Sequence, residues 1–80
     1  MKLSIYSLKK IIYQGEVNSF NCQTTTGEIT VLNNHKPLIS VLSPGVVKIQ
    51  DQNNQKDYFQ VSSGFLEIKS TNEARLLVEE

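Results

Sequence analysis

The amino-acid sequence predicts an all-β fold, a small antiparallel β-sandwich or flattened barrel of two stacked sheets. Three observations lead to this prediction. Apolar residues recur at every second position in short runs, the period of a half-buried strand. Turn-forming residues interrupt these runs roughly every eight to twelve positions, as in small sandwiches and barrels. No segment sustains the i, i+3, i+4, i+7 spacing of an amphipathic helix.

The alternating runs supply the candidate core. Their predicted inward-facing pairs are Leu3 and Ile5, Phe20 and Cys22, Ile29 and Val31, Val47 and Ile49, Phe59 and Val61, Leu66 and Ile68, and Leu76 and Val78. Val17 is out of phase with Phe20 and Cys22, which predicts a β-bulge near Asn18 and Ser19.

Four turns are predicted between these strands. Gln14-Gly15 separates the first two segments, and Pro44-Gly45 matches a type II turn, in which glycine supplies the positive φ. Residues 51–56 are polar and rich in asparagine, so we expect a hairpin loop there. Residues 70–73 form a similar turn before the last strand.

Length and charge limit the possible functions. The chain has 80 residues, so we expect one domain over residues 1–80, small enough to gain stability from docking onto a larger partner. Eight basic residues balance eight acidic ones without a basic cluster. Nucleic-acid binding needs such a cluster to displace counterions from phosphates, so no nucleic-acid partner is expected.

Cysteine usage and the N-terminal sequence indicate the compartment. Cys22 is the single cysteine, which suits a reducing environment and excludes an internal disulfide. The first ten residues, MKLSIYSLKK, lack the apolar stretch of a signal peptide, and no apolar run approaches the roughly 20 residues that span a bilayer. We therefore expect a soluble protein that is not exported.

The sequence offers little catalytic equipment. His35 is the single histidine, and Cys22 has no basic neighbour in sequence that would lower its pKa, so we interpret Cys22 as a small buried hydrophobe. Glu28 and His35 alone do not make a metal site, and no glycine-rich phosphate loop is present. No catalytic residue, metal or cofactor is predicted. His35 is most simply a loop residue whose ring hydrogen-bonds the turn backbone.

The segment from Thr26 to Gly45 is the most informative part of the chain. Its strand Leu38–Leu42 has four apolar residues out of five, more than one inner face can hold. That strand is either buried on both faces or contacts a partner, and the small size of the domain favours contact with a partner. A second apolar cluster lies near the N-terminus: Tyr6, Leu8, Ile11, Ile12 and Tyr13.

In the segment from Thr26 to Gly45 and on both sides of it, the sequence resembles the N-terminal β-sandwich domain of the epsilon subunit of the bacterial F-type ATP synthase. The resemblance covers essentially the whole chain. Its motifs occur in family order: YQGEV at 13–17, GEITVL at 27–32, NHKPL at 34–38, LSPGV at 42–46, VSSGFLE at 61–67 and LLV at 76–78.

The resemblance implies a non-catalytic subunit of the central stalk, which clamps the gamma subunit to the c ring and couples rotation to ATP synthesis. It implies contact with the c ring through Thr26, Gly27 and Glu28. The residues implied to contact gamma are Ser7, His35, Leu38, Ile39, Ser40 and Leu42. The implied location is the cytoplasmic face of the bacterial inner membrane, with membrane association only through the complex.

Two departures from the family pattern affect this interpretation. Ser63 stands at the second position of a usual Ser-Gly-Gly, where a positive φ would strain it. The chain also stops before the C-terminal helical hairpin that many members have, so nucleotide sensing and restraint of rotation are not carried over. Two other hypotheses stay open: a generic β-barrel module that binds an oligonucleotide or sugar, and a small hydrolase that uses His35.

Overall fold

The computed structural model describes residues 1–79, which form eight β-strands and no helix. Within these residues no segment could cross a membrane as a helix. The strands are β1 (Lys2–Tyr6), β2 (Ile11–Thr24), β3 (Gly27–Leu32), β4 (Leu38–Leu42), β5 (Gly45–Asp51), β6 (Lys56–Val61), β7 (Ser63–Lys69) and β8 (Glu73–Glu79).

Strand β2 belongs to both layers of the sandwich. It is 14 residues long; its first half pairs with β1, and its second half pairs with β3 and β5. The first layer therefore runs β4, β7, β8, β1 and the first half of β2. The second layer contains β3, the second half of β2, β5 and β6. This arrangement confirms the predicted β-sandwich.

A β-bulge in β2 lies where the break in alternation predicted it. Val17 pairs with Asp51 and Ser19 with Gln50, so Asn18 is the extra residue. Val17 and Phe20 are both buried in the core although they are three positions apart. A bulge bends its strand and increases the local twist. Here it carries β2 from one layer into the other while both side chains stay inside.

The core lies between the layers and contains the predicted inward-facing side chains. All of them are buried except Ile29 and Phe59, which are half-buried and pack against the core. The ring of Phe59 on β6 meets Tyr13 on β2 edge-to-face, with centroids 5.9 Å apart and planes at 61°. This contact joins the first layer to the edge strand of the second. Each fully buried aliphatic side chain contributes about 1.5–3 kcal/mol.

Two hairpin turns form where the sequence predicted them. In the β5–β6 loop, Asp51 Oδ1 accepts the backbone N–H groups of Asn53 at 2.8 Å and Gln55 at 2.9 Å. Asn54 in this loop and Asn72 in the β7–β8 turn have φ of 62° and 60°. Asparagine tolerates this left-handed conformation better than most residues, so both turns follow from local chemistry.

The predicted break at Gln14-Gly15 is wrong. Both residues lie within β2, where Gly15 pairs with Leu3 and Gln14 with Ser4. The chain turns earlier, between Tyr6 and Ile11. Glycine weakens an isolated strand, but pairing with β1 outweighs this local preference.

The predicted type II turn at Pro44-Gly45 is also wrong. Gly45 is not among the described glycines with positive φ, which are Gly27 and Gly64. Strands β4 and β5 belong to different layers, so the chain turns a corner here instead of closing a hairpin. Glycine suits this position for a different reason, because a Cβ at position 45 would lie 2.8 Å from Gln23 Cγ and the Gln23 side chain would have to shift.

One strand pair departs from the predicted antiparallel arrangement. Strands β1 and β8 are parallel, with Leu3 beside Ala74 and Tyr6 beside Leu77. A parallel pair needs a long connection, and here the connection comprises every strand between the first and the last. Local sequence patterns carry no signal for such a pairing.

Gly64 takes the positive φ of the VSSG motif, so Ser63 is not strained. Gly64 has φ of 155°, and an added Cβ would lie 2.1 Å from the carbonyl oxygen of Leu77 on β8. A side chain at position 64 would therefore force β7 and β8 apart.

We predict that Gly64→Ala lowers the free energy of unfolding by about 2–4 kcal/mol, since it adds a backbone clash to the conformational strain. The matched control is Gly27→Ala. Gly27 has φ of 125°, but nothing lies within 4 Å of its added Cβ, so only strain of about 1–2 kcal/mol is expected. Urea unfolding of both variants tests this, and equal losses would contradict the steric argument.

Cys22 gives a prediction at alkaline pH. Burial raises the pKa of its thiol from 9.0 to about 11. The folded protein therefore keeps its thiol proton at pH values where the unfolded chain has lost it. The resulting stability is fully present below pH 9 and is lost as the pH rises toward about 11.

We expect the free energy of unfolding of the parent to fall more steeply between pH 9 and pH 10.5 than that of Cys22→Ala, which lacks the titrating thiol. Urea unfolding at a series of pH values measures the two slopes. Parallel slopes would show that Cys22 does not contribute to the alkaline loss of stability.

Candidate docking surfaces

The turn between β2 and β3 presents Glu28 to solvent on a well-supported backbone. The hydroxyl of Thr24, which is buried, donates to the Gly27 carbonyl at 2.6 Å and accepts from the Thr26 N–H at 3.2 Å. Gly27 supplies a positive φ that a side chain would disfavour. Glu28 is exposed, and its Oε2 accepts from Gln23 Nε2 at 3.2 Å. The turn thus holds one carboxylate outward in a defined position.

The loop between β3 and β4 carries His35. Its Nδ1 lies 2.8 Å from the Lys36 carbonyl oxygen, so the ring bonds the turn backbone as the sequence suggested. The loop is fixed to the β7–β8 turn, because Asn34 donates its backbone N–H to Asn72 Oδ1 at 2.7 Å. Asn33 Oδ1 accepts from the N-terminal ammonium of Met1. The half-buried His35 therefore has a defined position.

The Glu28 turn and the His35 loop lie at opposite ends of the same strands. Near the turn, Thr25 donates its N–H to the Val41 carbonyl at 3.0 Å, which ties the turn to the end of β4. The His35 loop precedes the beginning of β4. Strand β3 spans Gly27–Leu32 between them, a length of about 16 Å at 3.3 Å per residue. The two candidate sites can therefore meet different partners.

The two faces of β4 divide the residues that the resemblance implicated. Ile39 is 75% exposed and points outward with Val41. Ser40 is half-buried and lies opposite the buried Leu66. Leu38, 36% exposed, and Leu42, 2% exposed, share this inward face with Ser40. Leu42 is therefore not accessible to a partner, because alternation along the strand places its side chain in the core.

Apolar side chains form a continuous row across the outer face of the first layer. Val41 on β4 lies opposite Phe65 on β7, and Phe65 lies opposite Leu77 on β8. Leu77 is beside Tyr6 on β1, which in turn pairs with Ile11 on β2. We call these five residues the apolar row. Four interstrand spacings of about 4.8 Å give it a length of about 19 Å.

The row joins two clusters that the sequence had shown only separately. Tyr6 and Ile11 come from the N-terminal cluster, and Val41 comes from the β4 cluster. Phe65 and Leu77 connect them, and neither was identified from the sequence. The sequence did contain a signal for them. Phe65 and Leu77 are apolar residues that alternate with predicted inward-facing residues, so their side chains must point outward. Phe65 is 57% exposed and Ile11 is 64% exposed, so neither side chain belongs to the core.

Ser7 lies beside this row. It follows Tyr6 directly, and its Oγ accepts the backbone N–H groups of Lys9 and Lys10, both at 3.3 Å. These bonds shape the β1–β2 turn, which displays Leu8 at 95% exposure. The turn extends the apolar character of the row beyond the strand ends.

The outer face of the second layer is different in chemistry. Its groove is lined by Asn21, Thr30, Lys48, Gln50, Lys56 and Tyr58. Asn21 Nδ2 donates to Thr30 Oγ1 at 2.9 Å. The oligonucleotide or sugar hypothesis calls for several exposed aromatic platforms. Of the two aromatic residues that line this groove, Tyr58 is exposed and Phe20 is buried in the core. This face therefore provides weak support for that hypothesis.

The candidate residues for bond chemistry are not brought together as a reactive site. Cys22 is fully buried, which confirms it as a small core residue, and its raised pKa disfavours the thiolate. His35 is engaged with its own loop. Among residues 1–79 no group of three or more potential ligands could hold a metal ion.

Comparisons with known proteins agree with the fold. Residues 1–80 match the family described as ATP synthase, delta/epsilon chain, beta-sandwich domain. The ATP synthase epsilon chain of Chlorobaculum tepidum is 37% identical over 78 residues, which are 98% of this chain and 88% of that protein. The epsilon chain of Psychrobacter arcticus is 35% identical over 69 residues, 86% of this chain but 50% of that protein. The chain thus spans about half the length of several curated relatives.

Solved structures share the architecture. A chain of the Euglena gracilis mitochondrial ATP synthase, solved as OSCP/F1/c-ring, superposes with a TM-score of 0.92 at 25% identity, covering 98% of this chain and 49% of that one. A chain of the Tetrahymena thermophila mitochondrial ATP synthase central stalk and c ring gives 0.83 at 19% identity, covering 100% of this chain and 63% of that one, and shows the fold alone. By its full-length match and its relatives, this chain belongs to the family of the ATP synthase delta/epsilon chain, β-sandwich domain.

Proposed function

We propose that this protein is a non-catalytic central-stalk subunit of a rotary, proton-driven ATP synthase. In this role it holds the gamma subunit to the c ring and couples rotation to ATP synthesis. The observation that carries the proposal is the apolar row, in which Ile11, Val41 and Phe65 are exposed and the other two residues are half-buried. A monomeric surface rarely keeps such a contiguous apolar strip without a partner. Family membership supplies the identity of that partner.

The gamma subunit is proposed to dock on the outer face of the first layer. Ile39 contributes directly from this face, and Ser7 and His35 lie at its borders. Leu38 and Ser40 share the inward face of β4 and support the strand from beneath. Leu42 stays in the core, so its contribution is to packing. Phe65 and Leu77 complete the proposed contact at its centre.

The c ring is proposed to contact the β2–β3 turn through Thr26, Gly27 and Glu28. The turn projects a single carboxylate from a rigid backbone, and rim carboxylates of this kind set orientation more than affinity. Its separation from the His35 loop by the length of β3 lets one small domain contact gamma and the ring together. A clamp between two rotor parts needs such a separation.

This role implies a location at the membrane without insertion into it. The protein would lie on the cytoplasmic face of the bacterial inner membrane and associate with the bilayer only through the complex. No cofactor is needed, because a clamp transmits torque through its contacts and makes or breaks no bond.

Phe65 tests the gamma surface. We predict that Phe65→Glu weakens binding to the gamma subunit of the same organism by about thirtyfold or more, as expected for a central aromatic contact. The matched control is Tyr58→Glu on the opposite layer, because the two rings have similar exposure, 57% and 59%. Calorimetric titration measures the affinities, and urea unfolding checks that both variants fold. Equal affinities of the two variants would remove the row from the gamma interface.

Glu28 tests the ring contact. We expect Glu28→Gln to leave binding to isolated gamma unchanged, because Glu28 is not part of the row and its carboxylate is bonded to Gln23 on β2. Capture of the assembled subunit–gamma pair by detergent-solubilised c ring should weaken by about three- to tenfold, the range for losing one exposed charged contact. Asp57→Asn on β6 serves as a control, because it removes one negative charge at an exposed site on the second layer. Unchanged capture with Glu28→Gln would contradict the assignment.

A further inference from the structure

Two opposite charges lie side by side next to the apolar row. Glu67 on β7 and Arg75 on β8 are direct cross-strand partners. Together with Ile39, Tyr6 and Leu77 they line one shallow groove on the outer face of the first layer. Ile39 lies opposite Glu67, and Ser4 lies beside Arg75. These four residues form a second row across the sheet, next to the apolar row, with the charged pair at its centre.

The two side chains do not neutralise each other. Within residues 1–79, the ion pair formed is the one between the Met1 ammonium and Glu16, at 3.6 Å. The charged atoms of Glu67 and Arg75 do not approach within the 4.0 Å of an ion pair, and neither side chain makes a hydrogen bond inside the described part of the chain. Opposite charges facing each other across an antiparallel pair would ordinarily attract. Here both remain available to a third group.

Charges beside an apolar contact act mainly on orientation and rate. They steer the encounter, disfavour partners with like charges and fix the register of docking. The apolar row alone cannot fix register, because a ridge of apolar side chains could slide along it. Glu67 and Arg75 present a fixed order of negative and positive charge along the row, which distinguishes one docking direction from its reverse.

We propose that Glu67 and Arg75 are the specificity-determining residues of the apolar row. This inference rests on the proposed function. The occupant is a surface of the gamma subunit with an apolar ridge about 19 Å long. Beside that ridge it carries a basic side chain to meet Glu67 and an acidic side chain to meet Arg75. The ridge supplies the affinity, and the two charges select its direction.

The experiment measures association of the full chain with the gamma subunit of the same organism at several salt concentrations. Glu67→Lys and Arg75→Glu should each lower the association rate constant about tenfold at low salt, with the difference shrinking as salt screens the charges. Each reversal places two like charges directly opposite each other on β7 and β8, which lowers the midpoint of urea unfolding slightly. The double variant Glu67→Lys/Arg75→Glu restores opposite charges, so its midpoint should match the parent while its association with gamma stays slow. That stability readout separates selection of a partner from a structural role.

Matched controls lie on the second layer. Asp57→Lys on β6 changes the net charge as Glu67→Lys does, and Lys48→Glu on β5 changes it as Arg75→Glu does. Both control positions are exposed. If the controls slow association as much as the row variants, net charge is responsible and the inference is overturned. If only the row variants slow it, the inference is supported.

The remaining outcomes are distinct. If the parent does not bind gamma at all, the proposed function fails and this inference fails with it. If gamma binds and neither row variant has an effect, the proposed function stands and the inference alone fails. If sedimentation shows that the chain forms dimers that Phe65→Glu dissociates, a second copy occupies the row and the commitment to gamma is overturned.

Discussion

The bulge at Asn18 is the constraint on which the rest of the structure depends. It lets one long strand supply hydrogen bonds to both layers while Val17 and Phe20 both face the core. Without the extra residue, one of these side chains would point to solvent. Every other strand pairs with β2 directly or through one neighbour, so the register of β2 sets the registers around it. For this reason the hydrogen-bonded pairing of strands continues from one layer of the sandwich into the other.

The parallel pairing of β1 with β8 joins the first and last strands in one layer, and it has a consequence for function. It places Tyr6 beside Leu77, and so connects apolar positions from the two ends of the chain. A contiguous row then exists on one outer face, while the other outer face carries Leu32 and Tyr58 among polar side chains. In a domain with so little interior, exposed apolar residues are costly to keep unless a partner covers them. The asymmetry between the faces therefore supports a docking role better than a catalytic one.

Rigidity at the ends of the strands complements the row. The Thr24 hydroxyl organises the Glu28 turn, and Asn72 fixes the His35 loop. Both local networks hold candidate contact residues without placing reactive groups near one another. Cys22, the strongest nucleophile by residue type, instead lies in the core as a protonated thiol. In the proposed role, the polar groups of this protein orient its surfaces and its apolar groups supply the contact area.

The sequence by itself determined most of the strands, the inward-facing residues, the bulge and two hairpin turns, because each depends on neighbours within a few positions. It placed a turn at Gln14-Gly15, where β2 continues because it pairs with β1. It also indicated Ile39 and Glu28 as exposed candidates through their motif. Tertiary structure alone decided what depends on distant pairing: the parallel β1–β8 contact, the corner at Gly45 and the burial of Leu42. The same holds for the row through Phe65 and Leu77, and for the charges of Glu67 and Arg75 beside it. Alternation shows that a side chain points outward, but only the order of strands shows which side chains become its neighbours.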